Sequence, residues 1–206
     1  MNTALPAAVL EAADVSAITQ LILAERESRD LGHWERMRAC FQPDSLVRLS
    51  WFTGTGADFV EGSIDMARRG MCAKHRLGPV RVRVAGDRAL ASLGAIIDIP
   101  ARLENVEVQL SSHARFLYRA QRHGLHWLIA GFEAIYLRDE LAPAIPGETV
   151  PVSPQDVAGY RPAYRMLSLL LARTGYTVNA DLPGDDRPQT AAALYRQMCE
   201  WAQLAP

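Results

Sequence analysis

The spacing of apolar positions changes character twice along the chain. Ile18, Leu21, Ile22 and then Glu25 recur at intervals of three, four and seven, which predicts an amphipathic helix. Asp14 and Ser16 offer N-cap oxygens for it, and Gly32 ends it. A second, short helix is expected from His33 through Phe41, closed by Gln42-Pro43-Asp44, because proline pushes the preceding residue out of the helical region. Leu46 to Phe52 reads as a strand, turned by Gly54 and Gly56. Asp58 is the expected cap of a third helix running from Phe59 to about Ala73. From His75 the period falls to two. Val80, Val82 and Val84 alternate with Arg81 and Arg83, and a turn at Gly86-Asp87 leads into a strand from Arg88 to Ile99. Val106 to Arg119 places Val108, Leu110, Ala114, Phe116 and Tyr118 on one face, with His113, Arg115 and Leu117 on the other. A hairpin turn at Gln121 to Gly124 precedes the last strand, Leu125 to Leu137. Helices first, then strands joined by short turns, predict an α+β fold with a curved antiparallel sheet.

The second change comes near Leu141. Leu141 to Pro154 holds four prolines and no period, the pattern of a linker or surface arm. Two further helices are expected: Arg161 to Thr174, with Pro162 at its start and Gly175 past its end, and Arg187 to Ala202, capped by Asp186. Helices this short are marginal in water unless their apolar stripes are buried. The division is therefore a first domain over residues 1–147 and a helical extension over 148–206, docked on the core or on a second copy. The extension reads as a brace, with a lid over a cavity mouth as the alternative.

Composition narrows the function classes. The 206 residues carry 22 Lys plus Arg against 23 Asp plus Glu, so net charge supplies no general pull toward nucleic acid or an anionic membrane. No stretch approaches the roughly 20 apolar residues of a membrane-spanning helix. Met1 to Ala13 lacks the basic start of a secretory signal. Cys40, Cys72 and Cys199 are too few and too scattered for a disulfide framework, which fits a reducing compartment, so a cytoplasmic location is expected. No metal-ligand spacing and no phosphate-binding glycine loop is present, and neither a metal nor a cofactor is expected.

Four stretches, in this order, carry a family resemblance. They are Ala17 to Trp34, containing Asp30-Leu31-Gly32-His33-Trp34; Phe41-Gln42-Pro43-Asp44; His75 followed by Val80 to Ala91 with Gly86-Asp87-Arg88-Ala89; and Gly124 to Asp139 with His126-Trp127-Leu128-Ile129. Together the segment 12–140 resembles the SnoaL-like branch of the nuclear transport factor 2-like superfamily. The resemblance implies a cone: a curved sheet wrapped around an apolar cavity that the first helices close. It also implies that His75 and Asp30 occupy the positions of a histidine–aspartate pair used by dehydratase and dehydrochlorinase members. His113 falls near a second histidine of scytalone dehydratase-type members. Glu25 stands where relatives often have a tyrosine.

The residues themselves leave alternatives open. His75 has the side chain best suited to accept a proton near neutral pH, and Asp30 could select its tautomer; alternatively both are solvated residues at the ends of elements. His113 faces either the cavity or the outside of the sheet. Glu25 is a cavity acid or a helix residue paired with Arg29. Trp51, Phe116 and Trp127 are cavity or core aromatics. The leading expectation is a cofactor-free lyase or isomerase with His75, Asp30 and His113 in catalysis and Glu25 and Trp51 at the ligand, a small hydrophobic cyclic molecule. The rivals are a non-catalytic binding module and an assembly role like that of the small subunit of ring-hydroxylating oxygenases. A homodimer through the outer sheet face is expected, with no nucleic-acid or membrane partner.

Overall fold

The computed structural model describes residues 6–205; residues 1–5, the start of the Met1–Ala13 segment, and residue 206 lie outside the described residues. Helix α1 spans Ala7–Leu31, so it begins well before Asp14. Asp14 is not its cap. Its carboxylate instead accepts hydrogen bonds from Arg122 Nη2 (2.5 Å) and Trp127 Nε1 (3.0 Å), tying the helix to the far end of the sheet. Gly32 closes α1 in the left-handed region (φ 74°), as a helix-ending glycine should.

Helix α2 is only Trp34–Arg38, and strand β1, Phe41–Leu49, already includes the Gln42-Pro43-Asp44 segment expected to be a break. The proline is accommodated because the register shifts between Phe41 and Leu46, leaving Pro43 and Asp44 exposed where no ladder donor is needed. Strand β2, Phe52–Gly54, folds back on β1. Helix α3, Gly56–Arg68, is capped by Thr55, whose hydroxyl accepts the Asp58 N–H (3.2 Å), while Asp58 bonds back to Thr55; Asp58 is thus the third residue of a capping box and not the cap. Gly56 is required by space, since a Cβ there would lie 2.5 Å from the Phe41 ring and from Ser45 Oγ.

Strands β3 (Lys74–Leu77), β4 (Arg81–Ala85), β5 (Arg88–Leu103), β6 (Val106–His123) and β7 (His126–Pro143) complete one sheet in the order β2-β1-β7-β6-β5-β3, with β4 also paired to β5. All pairings are antiparallel except β1 with β7. The long ladder of β6 with β7 changes register at His113/Ala114 and at Arg119/Ala120, the kind of irregularity that bends a sheet. The alternation in β6 holds: Val108, Leu110, Ala114, Phe116 and Tyr118 are buried on the concave side, packed with Ile18 and Ile22 of α1 and Phe59 and Met66 of α3.

The C-terminal helices serve two different faces. After α4 (Pro154–Val157) and a 3-10 turn over Pro162–Tyr164, α5 (Arg165–Arg173) sends Leu167, Leu170 and Leu171 into the main core. Asp139 on β7 accepts the Leu167 N–H at 2.8 Å and so caps α5, while burial pushes its carboxyl up to about 6. Helix α6 (Pro188–Ala202) lies on the outer face, with Leu194 and Met198 on Leu117 and Ile135. Asp186 does not cap it; it pairs with Arg161 (2.5 Å). The apolar patch expected to drive homodimerisation is therefore covered by the chain's own α6. Much of the remaining outer face is charged, as in Arg119–Glu133 (3.0 Å) and Arg76–Asp98 (2.6 Å). No helix among the described residues is long and apolar enough to cross a membrane.

Removing residues 148–206 would strip Leu167 and Leu171 from the core and uncover Leu117 and Ile135. The truncated chain is expected to melt at lower temperature or aggregate in a thermal scan. A soluble truncation with unchanged melting would show that these contacts contribute nothing to the fold.

Candidate functional site

Asp30 lies in the last turn of α1, and His75 is the second residue of β3, opposite Ile97 of β5. The sheet edge carries His75 to the end of α1, where Asp30 grips it twice. Oδ2 accepts the His75 backbone N–H at 2.7 Å, and Oδ1 lies 2.6 Å from ring Nδ1. Lys74 donates to the Asp30 carbonyl, adding a third tie between the elements. An ionised carboxylate accepts only, so this contact assigns the proton to Nδ1 and leaves Nε2 bare. Burial alone would raise the Asp30 carboxyl, but the hydrogen bonds from His75 outweigh it and hold it below the usual carboxylate range. The His75 side chain is only 5% exposed, and that burial, assisted by the charge of Arg26, holds it below the usual histidine value against the raising effect of Asp30. The resting state is a neutral imidazole beside a carboxylate.

His75 forms part of the wall of a cavity of about 40 Å³. Around it stand Phe116, Phe132, Phe59, Trp51, Ile97, Ile99 and Met66, with Tyr136 from β7 and Leu167 and Leu171 from α5. At this volume the space holds a few waters and falls well below the roughly 300–1,000 Å³ of ligand pockets, so a ring-sized molecule enters only if part of the wall yields. Tyr136 accepts the Ser50 N–H at 3.0 Å, and burial pushes its phenol up to about 12, so it keeps its proton.

Two arginines of α1 complete the wall. Arg26 is buried, hydrogen-bonded to Glu25 (Nε to Oε2, 2.5 Å), with its guanidinium 4.8 Å from the Phe132 ring centre. Tyr118 also donates to Glu25 (3.3 Å). Arg29 is 6% exposed, and its one hydrogen bond among the described residues is to Met66 Sδ (3.2 Å).

The structure thus brings Asp30 and His75 together and leaves His113 out. His113 sits on the convex face, its Nε2 3.5 Å from Glu140, because odd-numbered residues of β6 point away from the cavity there. Glu25 is paired with Arg26 and not with Arg29, and it does not reach the cavity surface. Trp51 does line the cavity, packed at tilted and edge-on angles among Phe52, Phe59 and Tyr176. Phe116 joins it there, whereas Trp127 is held by Asp14 on one side and by Arg122 4.5 Å from its ring. Arg26, Arg29 and Tyr136 are site residues that the periodicity analysis passed over. The signal for the arginines was present: Ile18, Ile22, Arg26 and Arg29 continue one helical stripe at spacings of four, four and three.

Comparison with known proteins places this geometry. Residues 10–133 match the model of the SnoaL-like domain. The chain belongs to the SnoaL-like family. A PEP2-like protein of Fusarium vanettenii is 27% identical over 185 residues, covering 85% of this chain and 79% of its own, a span that must run beyond the SnoaL-like segment into the C-terminal helices. Solved structures share the fold at low identity. LinA superposes with a TM-score of 0.53 at 17% identity, over 69% of this chain and 97% of its own. A putative scytalone dehydratase from Novosphingobium aromaticivorans gives 0.52 at 15%, over 69% and 95%. A protein from Mycobacterium tuberculosis gives 0.55 at 17%, over 87% and 100%. The chain therefore shares the fold of these structures, among them one described as an ntf2-like protein with a cystatin-like fold from Novosphingobium aromaticivorans (TM-score 0.51 at 19% identity).

Replacing Asp30 by Asn in this SnoaL-like chain removes the charge and keeps the shape. Stability at pH 7 is expected to fall by about 1.5–3 kcal/mol in a urea titration, the range for hydrogen bonds to a charged group. Because Asp30 raises the His75 pKa, the NMR titration midpoint of the His75 ring should move lower still. An unmoved midpoint would contradict the pairing.

Proposed function

We propose that this SnoaL-like protein is a cofactor-free acid–base lyase or isomerase acting on a small hydrophobic, oxygenated cyclic molecule. One observation carries the reading: the 2.6 Å contact of Asp30 with His75 Nδ1, which leaves Nε2 without a partner among the described residues on a ring that lines an apolar cavity. In this reading His75 Nε2 takes a proton from a substrate carbon, and Asp30 stabilises the imidazolium as it forms. His113 and Glu25 have no part in it. Delivery of a proton to the leaving or receiving oxygen falls to the Tyr136 hydroxyl, whose proton is not used in its contact with Ser50. The names of two structural neighbours, a hexachlorocyclohexane dehydrochlorinase and a putative scytalone dehydratase, support elimination as the class. A binding role without chemistry is the second reading. An open pocket of about 670 Å³ lined by Arg26, Asp30, Lys74, His75 and Leu77 supports it, because it has room for a ring without movement of the wall.

The test is turnover of a panel of cyclic alcohols, ketones and halides in D2O, followed by mass spectrometry for deuterium uptake or loss of water or halide. For any compound turned over, His75→Gln is expected to lower the rate by roughly 10²–10⁴-fold. The base is active when neutral and its folded pKa lies below 6.5, so kcat/KM should hold through neutral pH and fall only below that value. Turnover unaffected by His75→Gln would sink the catalytic reading, and saturable ligand binding with no exchange would favour the second.

A further inference from the structure

The charges around the cavity do not pair off evenly. Glu25 is taken by Arg26 and Tyr118, and both oxygens of Asp30 are taken by the backbone N–H and ring of His75. Arg29 lines the same cavity, is buried, and makes no ion pair among the described residues. Burial, with Arg26 nearby, pushes its guanidinium down to about 10, which still leaves it charged at neutral pH. A buried guanidinium whose only side-chain acceptor among the described residues is a thioether costs the fold free energy, because its other N–H donors have no protein partner. Such a group persists where something else supplies the acceptor. The remaining uncharged polar residues on the wall, Ser50, Tyr136 and the neutral His75, cannot neutralise it.

We infer that Arg29 is the seat for an anionic oxygen group of the ligand, a carboxylate or the enolate-type oxygen left when a proton departs. The planar guanidinium fork matches two adjacent oxygens or one oxygen approached by two N–H groups. At rest Arg26 and Arg29 are balanced in sum by Glu25 and Asp30, and an anionic ligand restores that balance when His75 gains a proton. Once His75 holds the proton, Asp30 compensates the imidazolium, Glu25 compensates Arg26, and Arg29 is left to compensate the ligand. The aromatic and aliphatic remainder of the wall then receives the ligand's apolar body. This rests on the acid–base reading for the enolate source only; a carboxylate would bind whether or not chemistry follows.

Binding of two anions, acetate and benzoate, and of their neutral counterparts, acetamide and benzamide, tests it by calorimetry and by NMR of the His75 ring. The wild-type chain is expected to bind the carboxylates at least about 10-fold more tightly than the amides. An anion seated at Arg29 favours the imidazolium, so carboxylate binding should also raise the His75 titration midpoint. Arg29→Met should abolish the preference while melting no lower than wild type, since it removes an unpaired buried charge, and Arg29→Lys should retain part of it. Equal affinity of the wild type for amide and carboxylate overturns the inference without need of any variant, as does carboxylate binding unchanged in Arg29→Met. Arg29-dependent carboxylate binding without deuterium exchange would leave the seat standing and defeat the catalytic reading. Exchange on neutral compounds that is unaffected by Arg29→Met would spare that reading and rule out the enolate as the group held.

Discussion

One carboxylate accepting two hydrogen bonds from one residue organises the site. Asp30 lies in the last turn of α1, and by holding both the backbone and the ring of His75 it joins the helix end to the edge of the sheet. A single contact would leave the imidazole free to rotate. Two contacts from the same carboxylate fix the strand, the ring plane and the tautomer together. The reactive nitrogen is therefore placed by the same bonds that hold the helix against the cone.

The surroundings follow from that placement. The His75 ring lines a cavity whose walls are mostly apolar, and its burial there keeps the imidazole neutral and ready to accept a proton. The same low polarity makes every buried charge expensive, so Arg26 needs Glu25 and the face of Phe132. The C-terminal helices finish the enclosure: α5 roofs the cavity with Leu167 and Leu171, and α6 covers the apolar outer patch. Closure by α5 also limits the space to about 40 Å³, which makes admission of a ligand a motion of the wall and not a simple docking.

Much of this was legible in the chain. Alternation in Val106 to Arg119 sorted β6 into two faces, because side chains on a strand must alternate, but left open which of them lines the cavity. The stretches around Asp30 and His75 pointed to the pair through family position, not through local chemistry. What was not legible were relationships set by distant parts of the chain. The parallel pairing of β1 with β7 joins segments some eighty residues apart in sequence, and no turn signal announces it. His113 could not be assigned a face at the site because its meaning depended on where Glu140 and α6 would lie. The role of Asp14 as a clamp on Arg122 and Trp127 was hidden for the same reason: its capping chemistry was visible and its partners were not. Arg26 and Arg29 were passed over because charged residues on an apolar stripe look like its edge until burial is known.

The central claim is that Asp30 fixes His75 as a neutral imidazole protonated on Nδ1, with Nε2 bare toward the cavity. Nitrogen-15 NMR of the His75 ring at pH 7 measures that directly. The expected spectrum has a protonated Nδ1, shifted by its short hydrogen bond, and an unprotonated Nε2, with no averaging between tautomers. A ring that averages between tautomers, or one protonated on both nitrogens at that pH, would contradict it.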